Sequence, residues 1–80
     1  MPRFFFDISA GSLTVDDVGV EFPNAHAARD VALRTLPAVA RDKIVDGSSR
    51  EVSVLMRDED RRALFTASLT LTDKWLVDIA

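Results

Sequence analysis

Apolar and polar residues alternate in three stretches of the chain and recur with a helical period in a fourth. In "RFFFDIS", Phe4, Phe6 and Ile8 share one side of an extended strand while Phe5 and Asp7 take the other, because successive side chains point to opposite faces. Glu51 to Arg57 alternates in the same way, with Val52, Val54 and Met56 on one face. Arg62 to Thr72 sets Phe65, Ala67, Leu69 and Leu71 against Thr66, Ser68, Thr70 and Thr72, and the charged "DEDR" before it reads as a hairpin loop. A further extended stretch, Leu13 to Val15 and Val18 to Phe22, is interrupted by Asp16, Asp17 and Gly19, and the glycine predicts a bulge or an irregular edge.

The helical period runs from Ala25 to Ile44. Pro23 disfavours helix before it, and Asn24 is a good N-cap. At 100° per residue, Ala25, Ala28, Ala32, Leu36, Val39 and Ala40 share one face, flanked by Leu33 and Ile44, while Asp30, Arg34 and Arg41 lie opposite. Pro37 removes one backbone hydrogen bond at a cost of ~3 kcal/mol in an ordinary helix interior, so a kink or break is expected between Leu33 and Pro37. "DGSS" at 46–49 ends the helix, with Gly47 suited to the left-handed C-terminal position.

These elements predict an α+β fold, β-β-α-β-β, in which a four-stranded antiparallel sheet of order 2-1-3-4 carries one kinked helix on one face. A right-handed crossover sets the third strand beside the first. An order of 2-1-4-3 stays open. Residues 1–72 form a single domain, and 73–80, "DKWLVDIA", form an apolar C-terminal tail.

This arrangement leaves Phe5 on the face that the helix does not cover, with Leu55 beside it. The tail holds Trp75, Leu76, Val77 and Ile79, an apolar load with three candidate placements: capping the end of the helix-facing core, covering the open face near Phe5, or docking on a second copy. Phe5, Leu55, Trp75, Leu76, Val77 and Ile79 are the candidate interface. Asp7 would meet water on the open face and pair with Arg3 or Arg57, a surface contact of ~0 to 1 kcal/mol.

Composition narrows the function. Eighty residues make one domain, and 48% hydrophobic with 29% charged residues is a globular balance. The lack of cysteine removes disulfides, thiolate metal sites and cysteine nucleophiles, which suits a reducing cytoplasm. The apolar run before Asp7 is too short for a signal-peptide core, and no stretch approaches the ~18 residues that span a bilayer. Net charge is −3, with 3 basic and 5 acidic residues in 1–40 and 7 and 8 in 41–80, so the basic stripe of a nucleic-acid binder is missing.

Candidate chemistry is sparse. One histidine, His26, with scattered serines makes no nucleophilic triad, and it reads as a surface residue. Asp16 and Asp17, and Asp58, Glu59 and Asp60, are acidic clusters without calcium-loop spacing. Arg50, Arg57, Arg61 and Arg62 lack the aromatic strand signature of RNA recognition, and Gly11, Gly19 and Gly47 are too isolated for a phosphate loop. No catalytic, cofactor or metal residue is assigned.

"PRFFFDI", "DDVGVEFPN", a helix with alanine every three or four positions, "DGSSREVSV" and "RDEDRRALF" resemble the short bacterial proteins grouped as domain of unknown function number 6894. The resemblance covers about residues 2–71. Arg3, Asp7, Gly19, Glu21 and Pro23 match its pattern and read as architecture. Phe4 stands where the family commonly has tyrosine, Asn24 where it has Asp, and Arg61 and Ala63 where its hairpin often has Gly and Pro. The resemblance implies a class and a bacterial cytoplasm and supplies no mechanism. The expected function is a non-enzymatic protein-interaction or self-association module, forming a homodimer or binding another protein. The alternative is a regulatory antitoxin-like or RNA-associated small domain.

Overall fold

The structure, a computed structural model, describes residues 1–45 and 50–79. Among them are five strands and one helix: β1 (Arg3–Ser9), β2 (Leu13–Thr14), β3 (Val20–Glu21), α1 (Ala25–Val45), β4 (Glu51–Arg57) and β5 (Ala63–Thr70). All pairings are antiparallel; the sheet runs β2-β1-β4-β5, and β3 also pairs with β1.

The α+β class with one helix on an antiparallel sheet agrees with the alternation of the sequence, but the expected four strands in order 2-1-3-4 become five. The interrupted stretch is not one bulged strand. It splits into β2, which pairs Leu13 with Ser9 and Thr14 with Ile8, and β3, which pairs Val20 with Phe4 and Glu21 with Arg3. The bulge lies elsewhere, between Met56 and Arg57 in the β4–β5 pairing: Met56 faces Phe65 and Arg57 faces Ala63, so Leu64 is the extra residue.

Asn24 caps α1 as its side chain predicts, Oδ1 accepting the Ala27 N–H at 2.9 Å. The helix then runs unbroken through Pro37, which corrects the expected break. Pro37 and Leu33 both lie on the exposed side, so the Leu33 carbonyl that Pro37 cannot bond is not sealed in the core. The ~3 kcal/mol that a proline costs in an exposed helix interior is offset by burial of Ala28, Ala32 and Leu36 on the opposite face. The expected C-terminal signal, Gly47 in "DGSS", lies outside the described residues.

Ala28 and Ala32 are fully buried, and they let α1 approach the sheet closely. One core cluster joins Ala32 and Leu36 to Val52 and Val54, with Phe6 and Ile8 packed against it. The other joins Ala28 to Phe4 and Met56. Phe22 closes this end, its ring 6.2 Å from that of Phe4 and 6.1 Å edge-on from that of Phe6. Ala25 and Leu33, expected on or beside the packed face, are exposed.

The β4–β5 hairpin is closed by Asp58. Its Oδ1 accepts the N–H groups of Asp60 and Arg62, each at 2.9 Å, while the Asp58 N–H donates to the Arg62 carbonyl at 3.0 Å. Arg61 takes φ 63° in this turn, the left-handed conformation that glycine adopts without strain. The loop therefore holds an arginine where the backbone conformation favours glycine. Arg61→Gly is expected to stabilise the fold by about 0.5 to 1 kcal/mol, the left-handed strain less the added freedom of the unfolded chain, as read by urea denaturation.

Candidate functional site

The face without the helix is organised by charge. Phe5 and Asp7 project to it from β1 and Leu55 and Arg57 from β4, with Phe5 registered against Arg57 and Asp7 against Leu55. Arg57 Nε donates to Asp7 Oδ2 at 2.7 Å and Nη2 to Asp7 Oδ1 at 3.0 Å, a two-pronged pair. Asp7 is only 8% exposed. The expectation of a surface acid in water is thereby corrected: this is a nearly buried pair, and Arg57, not Arg3, is the partner.

The connection between β2 and β3 is what covers it. Between the residues of β1 that pair with β2 and those that pair with β3, the Phe6 N–H has no strand carbonyl to bond. Asp16 Oδ2 accepts it at 3.0 Å, standing in for the missing ladder acceptor. Asp16 Oδ1 accepts the N–H groups of Val18 and Gly19, both at 3.0 Å. The Asp16 N–H donates to Asp7 Oδ1 at 2.9 Å, and the Asp16 carbonyl accepts Arg57 Nη2 at 2.8 Å. One oxygen of the Asp16 carboxylate thus ties strand to loop, and the other ties the loop to itself.

Gly19 is buried with φ 72°. A Cβ there would lie 2.8 Å from Arg3 Cγ and Phe5 Cε1, and 2.9 Å from the Phe4 carbonyl oxygen. Phe5 is therefore covered on one side by backbone at Gly19, and the Arg57 guanidinium lies 5.1 Å from its ring centroid. Arg3 closes the margin, donating from Nη1 to the carbonyls of Val18 at 3.0 Å and Gly19 at 3.2 Å.

These arrangements set the protonation states. The hydrogen bond from Arg57 outweighs burial and holds the Asp7 carboxyl below the usual carboxylate range. For Asp16, burial is the largest single influence and pushes upward, but the amides of Gly19, Phe6 and Val18 together with Arg57 prevail and the net shift is downward. Asp7 correspondingly pushes Arg57 above its ordinary value.

Beside this network lies a concavity of about 520 Å³ with Phe5 and Val15 as apolar lining, Asp17 on one rim, and Glu59 and Arg61 on the other. Of the sequence-predicted interface, Phe5 and Leu55 are half-buried on this face. The tail residues do not join them: Trp75 is 76% and Leu76 89% exposed, and Val77 and Ile79 are also exposed. The expectation that Trp75 and Leu76 cap the helix-facing core is corrected by the same exposures. Neither residue belongs to a core cluster.

Sequence reasoning paired Asp7 with an arginine but missed Asp16. The signal was present in "DDVG": an Asp followed by glycine at the third position is the pattern of a side chain that bonds its own downstream amides and closes a turn. Among the described residues, no group of three or more acidic or histidine side chains is placed to hold a metal ion, and no helix is long and apolar enough to cross a membrane.

Fold and site together define a small α+β domain whose sheet face away from the helix is locked by charge. Residues 3–70 match the family described as Domain of unknown function (DUF6894), and the chain belongs to that family. No curated protein and no solved structure matches it.

Two measurements test the network. Gly19→Ala forces both a left-handed alanine and a clash with backbone, and is expected to cost about 2 kcal/mol or more in urea denaturation. Because Asp7 and Asp16 ionise more readily folded than unfolded, the unfolded chain binds more protons as the pH falls. Their stabilisation is complete above the unfolded carboxylate value of about 4 and is lost as the pH drops through the lower folded values. Asp7→Asn should lower stability at pH 7 and flatten the loss between about pH 5 and 2. An unchanged acid limb would contradict the assignment.

Proposed function

We propose that the chain is a non-enzymatic self-association module whose β5 edge pairs with β5 of a second copy. The observation that carries this reading is the contrast between the two edges of the sheet. On one side the edge is broken into two-residue strands separated by Asp16, Asp17 and Gly19, and the loop folds over the face. Short strands and charges are how proteins protect an edge from pairing. On the other side β5 is eight residues long, "ALFTASLT", with no charge, proline or glycine, and no strand pairs its outer edge among the described residues. Such an edge is a template for strand addition. Two β5 strands related by a two-fold axis run antiparallel, the sense of every pairing within the domain.

The regulatory or RNA-associated alternative has less support. Arg57 is committed to Asp7 and Asp16, and acids outnumber bases along the concavity.

Sedimentation equilibrium of the full chain is expected to give a monomer–dimer equilibrium in the micromolar range. Ser68→Lys, on the exposed face of β5, sets like charges across the two-fold axis and should raise the dissociation constant about tenfold or more. A strict monomer up to about 100 μM would overturn the reading; that ceiling corresponds to about −5.5 kcal/mol of association.

A further inference from the structure

We propose that the C-terminal segment of one copy, Lys74 to Asp78, seats in the concavity beside Phe5 of a second copy, Trp75 against Phe5 and Val15 and Lys74 against Asp17. This rests on the antiparallel β5 pairing.

The tail cannot reach the concavity of its own chain. Its path is fixed at the far end of the sheet, where the Leu71 N–H donates to the Arg50 carbonyl at 2.9 Å and Arg50 pairs with Asp73. The concavity lies at the other end of β4, beside Arg57. Seven residues of strand separate the two, about 23 Å. Four residues from Leu71 to Trp75 span at most about 14 Å of backbone. The observed tail points away from the domain: the radius of gyration is 15.3 Å, against about 11.6 Å for a compact chain of this length, and the longest dimension is 57 Å.

A second copy resolves the geometry. When two β5 strands pair antiparallel about a two-fold axis at Ala67, Thr66 of one lies opposite Ser68 of the other, both on the open face, and the two Ser68 residues are diagonal neighbours. Leu71 then comes opposite Ala63 of the second copy, and the residues after it run alongside its 58–61 loop, which forms one rim of the concavity. The two-fold axis delivers both tails to both concavities at once and closes the assembly.

The chemistry of the segment fits the cleft. In "KWLVD" a cation and an anion bracket three apolar residues. The cleft has exposed Asp17 on the β2–β3 rim, Arg61 on the hairpin rim, and Phe5 and Val15 between. A strand-edge contact alone is narrow beside the ~800 Å² per partner of a stable interface. Trp75 adds about 200 Å².

The sole tryptophan reports its own docking. In the full chain, its emission maximum is expected to shift to the blue with protein concentration, along the same curve as the sedimentation mass. Trp75→Ala should raise the dissociation constant about thirtyfold. Lys74→Glu and Asp17→Lys should each raise it three- to tenfold, and the double variant should return it to within about twofold of the parent. A dimer with unshifted emission and an unaffected Trp75→Ala variant overturns the tail docking while leaving the β5 pairing intact. Tail variants that weaken a dimer indifferent to Asp17→Lys, or a charge swap that fails to restore it, also overturn the docking site. A strict monomer removes both readings.

Discussion

The open face of this sheet depends on one nearly buried ion pair. Asp7 sits in the central strand, where an unpaired carboxylate would be costly, and Arg57 from the neighbouring strand meets it with two hydrogen bonds while 17% exposed itself. The same guanidinium reaches the Asp16 carbonyl, and Asp7 accepts the Asp16 amide. The pair therefore does more than neutralise charge. It sets the height at which the β2–β3 connection crosses the face, which places Asp16 at the orphaned Phe6 amide and Gly19 against the Phe5 ring. Remove it and the loop loses its anchor on β4 and the Asp7 contact on β1, keeping only its bonds to the Phe6 amide and the Arg3 side chain.

That coupling explains which parts of the fold were legible in the sequence. Strand alternation, the buried face of α1 and the Asn24 cap depend on local spacing, and Phe4, Ala28, Ala32 and Val54 are buried where the periodicity puts them. The division of the second stretch into β2 and β3 depends on a long-range substitution, a side-chain carboxylate in place of a strand carbonyl, and no local period records that. Gly19 was legible as special but not for its reason. Its role comes from Phe5, fourteen positions earlier, whose ring occupies the space a Cβ would need. Pro37 does not break α1 because its local cost is outweighed by the tertiary packing of the opposite face, which nothing in the sequence around the proline records.

The candidate site was legible as residues and not as an arrangement. Phe5 does share its face with Leu55, but Phe5 is not a bare aromatic awaiting a cover: Gly19 and Arg57 already meet it, and only its side toward Val15 remains open. The tail's apolar character was equally plain in "DKWLVDIA", yet where it lies depends on Arg50 and Leu71, which fix its departure at the end of the sheet opposite Phe5. Spacing along the chain holds no trace of that separation.

Net charge has little part in deciding whether two such chains associate. Two domains of charge −3 with centres about 25 Å apart repel by about 1.5 kcal/mol in pure water, and a Debye length of about 8 Å reduces this to roughly 0.1 kcal/mol at physiological salt. Screening of that size removes the average field and leaves only charges in near contact. In the proposed dimer, charges such as Lys74 of the tail and Asp17 of the rim would then bias register and partner choice, while the backbone groups of β5 would supply attraction that is indifferent to sequence. An edge with no charge of its own needs such a second determinant, because strand pairing alone would accept any extended chain. In the proposed dimer the labour would be divided between an uncharged strand that supplies pairing and a charged, apolar-lined cleft at the end of the sheet that discriminates.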